Sequence, residues 1–161
     1  MRIISLLFVG VGASQVCDVS LMELNAAAFF AACETGKGWN GTSAYVSSEK
    51  STFNAQVTDS LPGPKLSQVT TVKGYAEWMV GVVKEFGPKA TFTIKASAFD
   101  EARHTALFYA VFAGVSDYVY SLAFDAKTCK ITDMHKIWND GFASKHPPKQ
   151  SHIQERGRVS E

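Results

Sequence analysis

Two acid/base side chains stand two residues apart near the end of the sequence, in a run where apolar and polar residues alternate. Asp133 and His135 lie within residues 130–139, which have the period of a β-strand. Side chains two apart on a strand share one face of the sheet. If that face lines an apolar pocket, His135 can serve as a general acid or base and Asp133 can orient it or hold a water molecule. Two alternatives are open: the two residues line a ligand site without a catalytic role, or they face solvent.

The strand before this pair is expected to form a hairpin with it. The turn should close with Asp125 facing Lys130, because this pairs opposite charges. Continuing outward places Tyr120 opposite His135, where its phenol could donate to a developing oxyanion. This register assigns to one face of the hairpin Tyr118, Tyr120, Leu122, Phe124, Ile131, Asp133, His135 and Ile137. A slip of one residue would exchange the two faces, so the register decides which chemistry is available.

Four aromatic side chains are candidates for contacts with a ligand: Tyr118, Tyr120, Tyr109 and Trp78. The first two share the predicted face with the acid/base pair. Trp78 belongs to a helical stripe, so core packing is its competing interpretation. With an acid/base pair beside tyrosines, the expected chemistry is proton transfer on a small, mostly apolar molecule.

The elements that would position these groups are helices followed by consecutive strands. The first helix is expected over residues 21–35, capped by Ser20, with an apolar stripe of Leu21, Leu24, Ala28 and Ala32. The second is expected over residues 72–86, capped by Thr71. Strands are expected over residues 51–58, 91–99, 104–113, 117–125 and 130–139. Helices before an antiparallel meander indicate the α+β class.

One of these strands is apolar on both faces. Within residues 104–113, Leu107 and Tyr109 fall on one face, while Phe108 and Phe112 fall on the other. Helices can cover only one face of a sheet. The second face therefore favours a homodimer formed through equivalent surfaces.

Composition excludes several classes of function. The chain has 161 residues, 46% hydrophobic and 19% charged, which suits one folded domain. A net charge of +1 argues against nucleic acid as a partner, and no apolar run is long enough for an integral membrane span. Four histidines without ligand spacing predict no metal, and the lone Gly10-Val11-Gly12 lacks the context of a dinucleotide site. We expect no cofactor.

The two ends of the chain differ from the middle. A basic start, a short apolar run and small residues predict a signal or leader over residues 1–19, which would route the protein into the secretory pathway. The alternatives are a buried first strand or a mis-assigned start codon, and in either case the expected location is cytoplasmic. Asn40 begins a glycosylation triplet. Residues 141–161, with two prolines and few apolar residues, predict a flexible tail.

Cysteine usage allows one disulfide at most. Cys17, Cys33 and Cys129 are an odd number without motif spacing, and free, buried thiols are the favoured interpretation.

Several ordered segments carry a family resemblance. Residues 29–39 (FFAACETGKGW), 74–79 (GYAEWM), 117–120 (DYVY) and 136–140 (KIWND) resemble a SnoaL-like branch of the nuclear transport factor 2-like superfamily. The resemblance covers residues 20–140. The chain departs from that branch at 114–116, where a short turn replaces a longer excursion between strands.

The resemblance implies a cone, in which helices pack into a strongly curved, mostly antiparallel sheet around an internal apolar pocket. It also implies a dimer. The superfamily includes polyketide cyclases and ketosteroid isomerases as well as non-catalytic association domains, so the fold leaves enzyme and binding module open. The expected function is binding of a small apolar molecule, either by a cofactor-independent cyclase or isomerase using Asp133 and His135, or by a non-catalytic ligand-binding or dimerisation module.

Overall fold

The computed structural model describes residues 16–56, 66–113 and 116–138, with Ser116 and Trp138 described by their backbone alone. Within these ranges the chain forms three α-helices and five β-strands. The helices are α1 (Val19–Glu34), α2 (Trp39–Thr42) and α3 (Val72–Phe86). The strands are β1 (Thr52–Gln56), β2 (Phe92–Asp100), β3 (Thr105–Phe112), β4 (Ser116–Phe124) and β5 (Ile131–Trp138).

Parts of the predicted organisation lie outside the described residues. These are residues 1–15 of the leader, residues 114–115 of the short turn, and the tail at 141–161. Residues 16–19, which the sequence prediction assigned to the leader, contribute to the fold. Cys17 is buried, and Asp18 caps the first helix.

Two side-chain caps set where the long helices begin. The Leu21 amide donates to Asp18 Oδ1 at 2.8 Å, so α1 begins at Val19 and the predicted Ser20 cap is wrong. The predicted Thr71 cap of α3 is confirmed, since its Oγ1 accepts from the Gly74 amide at 3.0 Å.

The five strands form one mixed sheet in the order β1-β5-β4-β3-β2. β1 runs parallel to β5, and the other neighbours are antiparallel, as the α+β prediction requires. The helices cover one face, which is called the inner face below. Phe30 of α1 packs there against Phe108 of β3 and Tyr120 of β4, with ring centroids 6.1 and 4.9 Å apart.

The β4–β5 hairpin contains a bulge that overturns the predicted register. Phe124 does pair with Ile131, but Ala123 pairs with Asp133, so Thr132 is an extra residue on β5. Beyond that point every partner shifts by one. Tyr120 faces Lys136, and His135 faces Ser121. Because side chains alternate along a strand, this shift exchanges the inner and outer residues of β5.

A disulfide joins Cys17 to Cys129, which corrects the expectation of free thiols. The two residues are 112 positions apart, and both are fully buried. The bond ties the start of α1 to the β4–β5 turn, where Asn25 Nδ2 also donates to the Cys129 carbonyl at 2.8 Å. Closing so long a loop restricts the unfolded chain and is worth about 4–5 kcal/mol in a chain-entropy account. Cys33 is the free, buried thiol.

Candidate functional site

The predicted acid/base pair lies on the outer face of β5. His135 Nε2 is 2.9 Å from Asp133 Oδ2, and the side chains are 51% and 33% exposed. Thr52 of the neighbouring β1 donates its hydroxyl to the other carboxylate oxygen of Asp133. The structure thus brings the two residues together but separates them from Tyr118 and Tyr120, which are buried on the inner face. The predicted face shared with the tyrosines is wrong, and a catalytic role for the pair stays a prediction.

The four aromatic candidates fall in three places. Trp78 of α3 and Tyr118 of β4 line a cleft between helix and sheet. Tyr120 is fully buried behind that cleft. Tyr109 lies on the opposite face of the sheet and is 38% exposed. Three of the four are therefore near one another, and Tyr109 is not.

Lys136 occupies the centre of the inner-face cluster. It lies one residue from His135 but points the other way, and it is 3% exposed. Its Nζ lies 4.0 Å from the ring centroid of Tyr118 and 5.2 Å from that of Trp78. The rings of Tyr75 and Tyr120 are both 5.7 Å away. Four aromatic rings thus surround one amine, an arrangement that favours a cation through the ring quadrupoles.

The four aromatic rings stabilise the charged form of this amine less well than water would. Burial lowers the pKa of Lys136 from 10.5 to about 7, and the Cys33 thiol opposes that effect only in part. In the described parts of the chain no carboxylate lies within ion-pair distance of the Lys136 amine. The amine can therefore gain or lose a proton near neutral pH, which is the property a general acid or base needs.

The surrounding titratable groups stay neutral. Burial raises the pKa values of Tyr75 and Tyr120 well above their usual range, and their hydroxyl oxygens are 3.2 Å apart. Burial likewise raises the pKa of the Cys33 thiol. Lys136 is consequently the group of this cluster whose charge changes in the physiological range.

The cleft that reaches Lys136 is narrow and apolar. Its walls come from α3 and from the inner face of the sheet, and its lining is Trp78, Met79, Val82, Phe86, Phe112, Tyr118 and Lys136. The empty volume is about 300 Å³ with open solvent at the mouth included, while the space open to the centre of a water molecule is about 10 Å³. The cleft therefore has room for about one water molecule, and a larger ligand must displace flexible side chains such as Met79.

Sequence reasoning missed Lys136 because the predicted register placed it on the outer face. A signal was nevertheless present. Lys136 shares its strand face with Met134 two residues before it, and a lysine in line with a buried apolar residue indicates an unusual environment. Reading that signal correctly requires knowledge of the bulge at Thr132.

Within the described ranges, a metal site would need a cluster of ligand side chains, and a membrane span would need a long apolar helix. No group of three histidine, cysteine or acidic side chains there could hold a metal ion. None of the helices in those ranges combines the length and apolar character needed to cross a bilayer.

Comparison with known proteins gives likenesses of structure. No family model matches the sequence, and no curated protein matches it. A cystatin-like protein of unknown function from Methylobium petroleophilum aligns with a TM-score of 0.62 at 12% identity, over 86% of this chain and 85% of that one. A SnoaL-like protein of unknown function from Burkholderia thailandensis aligns with a TM-score of 0.59 at 6% identity, over 78% and 99%.

A fungal enzyme has a similar fold. A pinacolase from Penicillium brevicompactum aligns with a TM-score of 0.56 at 11% identity, over 79% of this chain and 88% of that one. At such identities the likeness concerns the fold, which is used by proteins with different activities. The arrangement of helices and sheet, together with these likenesses, shows that the chain has a cystatin-like α+β fold, as the sequence resemblance implied.

Proposed function

We propose that the cleft at Lys136 binds a small, mostly apolar molecule and that the Lys136 amine is the acid/base group of the site. The observation that carries the proposal is the position of Lys136, which is 3% exposed, lines an apolar cleft and has its amine surrounded by four aromatic rings. Burying an amine in such surroundings is unfavourable for folding. A group retained at that cost is a candidate for function.

Proton transfer on a carbonyl compound is the chemistry that suits these groups. An amine with a pKa of about 7 can take a proton from a carbon acid or return one at neutral pH. The apolar walls favour a substrate with little charge. A cofactor-independent cyclase or isomerase remains the expected class, with Lys136 rather than His135 facing the ligand.

Blocking the cleft tests the binding part of the proposal. Val82→Trp adds bulk to a half-buried residue of the lining, and Lys84→Trp adds the same bulk to an exposed position on the same helix. Ligands found by native mass spectrometry of the purified protein, or from a panel of small aromatic compounds, are titrated by calorimetry. We expect Val82→Trp to abolish binding and Lys84→Trp to preserve it. Equal binding by both variants would contradict the proposed site.

A non-catalytic module is the second candidate, and the outer face of the sheet favours it. Tyr109, Val119 and Ile137 lie side by side on three adjacent strands of that face. Leu107 lies on the same face and is 49% exposed. We propose that this apolar row, defined by Leu107, Tyr109, Val119 and Ile137, is the contact of a homodimer.

The oligomeric state tests this second candidate. Leu107→Asp puts a charge into the row, while Leu24→Asp puts one on the exposed surface of α1, where Leu24 is 64% exposed. Sedimentation at micromolar concentration should show that Leu107→Asp is a monomer and that Leu24→Asp is still a dimer. A wild-type monomer at that concentration would remove the dimer proposal.

We also propose that the chain folds in an oxidising compartment, as the predicted leader implies. The Cys17–Cys129 bond supports this, since such bonds persist in oxidising surroundings. Asn40 is exposed and accessible to glycosylation. Mass spectrometry of the mature protein should find a cleavage before Cys17 and an intact disulfide. Recovery of Met1 together with reduced cysteines would contradict this assignment.

A further inference from the structure

The cleft places a nucleophile where a ligand would lie. Of the groups in the inner cluster, the Cys33 thiol is held neutral by burial, which makes it a poor nucleophile. The Tyr75 and Tyr120 phenols are also held neutral. Lys136 lines the cleft, and its amine is separated from every carboxylate of the described residues by more than ion-pair distance. It is therefore the nucleophile of the cluster that meets an incoming ligand.

From this geometry we infer that the cleft takes aldehydes or ketones with small apolar substituents and that Lys136 forms an imine with them. The inference rests on the proposed function, because it requires the ligand to bind in the same cleft. It goes further by naming the reactive group of the ligand and the bond that forms.

The chemistry balances without any other reactant. The Lys136 nitrogen attacks the carbonyl carbon, and the carbonyl oxygen takes a proton, giving a carbinolamine. Loss of that oxygen as water leaves a carbon–nitrogen double bond, so one amine and one carbonyl give one imine and one water. Lysines desolvated in apolar pockets are the usual sites of this reaction, because the unprotonated amine is the reactive form.

The walls of the cleft suit a carbonyl ligand in two ways. Trp78 and Tyr118 present flat aromatic surfaces near the amine, against which a planar carbonyl compound can pack. The remaining lining, from Met79 to Phe112, is apolar, so it limits the water available to hydrolyse the imine.

Reductive trapping tests the inference. The protein is incubated with benzaldehyde and sodium cyanoborohydride at pH 7.5, and modified lysines are located by peptide mass spectrometry. Hydride transfer to the imine leaves a stable benzyl group on the amine. A hydrated lysine has a pKa of about 10.4, so we expect labelling of Lys136 to exceed that of exposed Lys84 by at least about tenfold. The labelling rate of Lys136 should rise with pH up to about 7 and then level off.

A second ligand separates failure of this inference from failure of the proposed function. Benzyl alcohol has nearly the shape of benzaldehyde but cannot form an imine, and its binding is measured by calorimetry on wild type, Val82→Trp and Lys136→Met. We expect it to bind wild type and Lys136→Met, while Lys136→Met loses the benzaldehyde label at this position.

Three results would overturn the inference. If benzyl alcohol binds in the cleft and Lys136 stays unlabelled, imine formation is wrong while the proposed binding site stands. If Lys136 and Lys84 are labelled equally, the amine has no special reactivity and the inference fails in the same way. If neither compound binds and Lys136 is unlabelled, the inference and the proposed function fail together.

Discussion

The two faces of β5 hold two polar arrangements that differ in almost every physical respect. On the inner face, Lys136 is buried among aromatic rings and lacks a carboxylate partner in the described ranges. On the outer face, one residue away, His135 pairs with Asp133, and both are partly hydrated. A hydrated ion pair contributes little free energy because water already solvates each charge. A buried amine is strongly perturbed because nothing fully replaces that water.

This difference shows that the environment of a side chain on β5, more than its residue type, decides whether its pKa is shifted toward neutral pH. Histidine is the side chain that ordinarily titrates near neutral pH, and lysine is not. Burial changes that expectation for Lys136, since it brings the pKa of this lysine to about 7. The alternation of the strand is what separates the two environments over a single residue.

Removing the buried amine should have the largest effect on stability. Its pKa is about 7 in the fold against 10.5 for the ordinary side chain, so the unfolded chain binds more protons between these values. The free energy of unfolding therefore rises with pH across that interval, and the full cost of burial applies below pH 7. The pKa difference corresponds to roughly 5 kcal/mol. We expect Lys136→Met to raise the free energy of unfolding by several kcal/mol at pH 6.

The pH dependence distinguishes this effect from simple repacking. The advantage of Lys136→Met should shrink from pH 7 to pH 9, by up to about 1.4 kcal/mol per pH unit. Above pH 9 the buried Cys33, Tyr75 and Tyr120 lower the stability of both proteins, because their pKa values are raised in the fold, and this contribution cancels from the difference. Urea denaturation at several pH values measures the difference, with Lys84→Met as the exposed control. An advantage that is constant from pH 6 to pH 9 would show that Lys136 is not perturbed.

Removing one phenol hydroxyl from each face should have a smaller effect. Tyr120→Phe deletes a hydroxyl that lies 3.2 Å from that of Tyr75, both fully buried, and leaves its partner without that contact. Such a loss costs about 1–3 kcal/mol. Tyr109→Phe removes a hydroxyl that hydrogen-bonds Asp117 on the outer face, where Tyr109 is 38% exposed, and should cost less, at most about 1 kcal/mol. Equal costs in chemical denaturation would mean that the two faces do not differ as described.

The sequence predicted helix boundaries correctly where neighbouring residues determine them. The α3 helix begins and ends at the predicted residues 72 and 86, since the Thr71 cap and the Gly87-Pro88 stop are adjacent to it. The stripe of α1 was wrong. Its predicted member Leu24 is 64% exposed, while Met22, Ala26, Phe29, Phe30 and Cys33 are buried. That helix is apolar on several sides, so spacing alone does not identify its buried face.

The geometry of the site depends on contacts between residues that lie far apart in the sequence. The one-residue bulge at Thr132 has no clear mark in the sequence, yet it moved Asp133 and His135 outward and Lys136 inward. Cys17 and Cys129 meet only because the start of α1 folds back onto the β4–β5 turn. Sequence patterns identify which residues alternate, but the inner set is decided by how the hairpin packs against the helices.

Substitution of Asp133 or His135 on the outer face should have the smallest effect on the free energy of unfolding. It also tests the comparison of the two faces most directly. His135→Ala and Asp133→Asn each remove one partner of the contact in which Nε2 and Oδ2 lie 2.9 Å apart, and the partly exposed geometry predicts a loss of less than about 1 kcal/mol in the free energy of unfolding. Neither change touches the lining of the cleft, so ligand affinity there should match wild type, and so should benzaldehyde labelling of Lys136.

Any turnover found for an identified substrate should persist in both variants and vanish in Lys136→Met. If turnover instead vanishes in His135→Ala and Asp133→Asn while cleft binding is intact, the chemistry belongs to the outer face, and the buried amine serves only the packing of the rings around it.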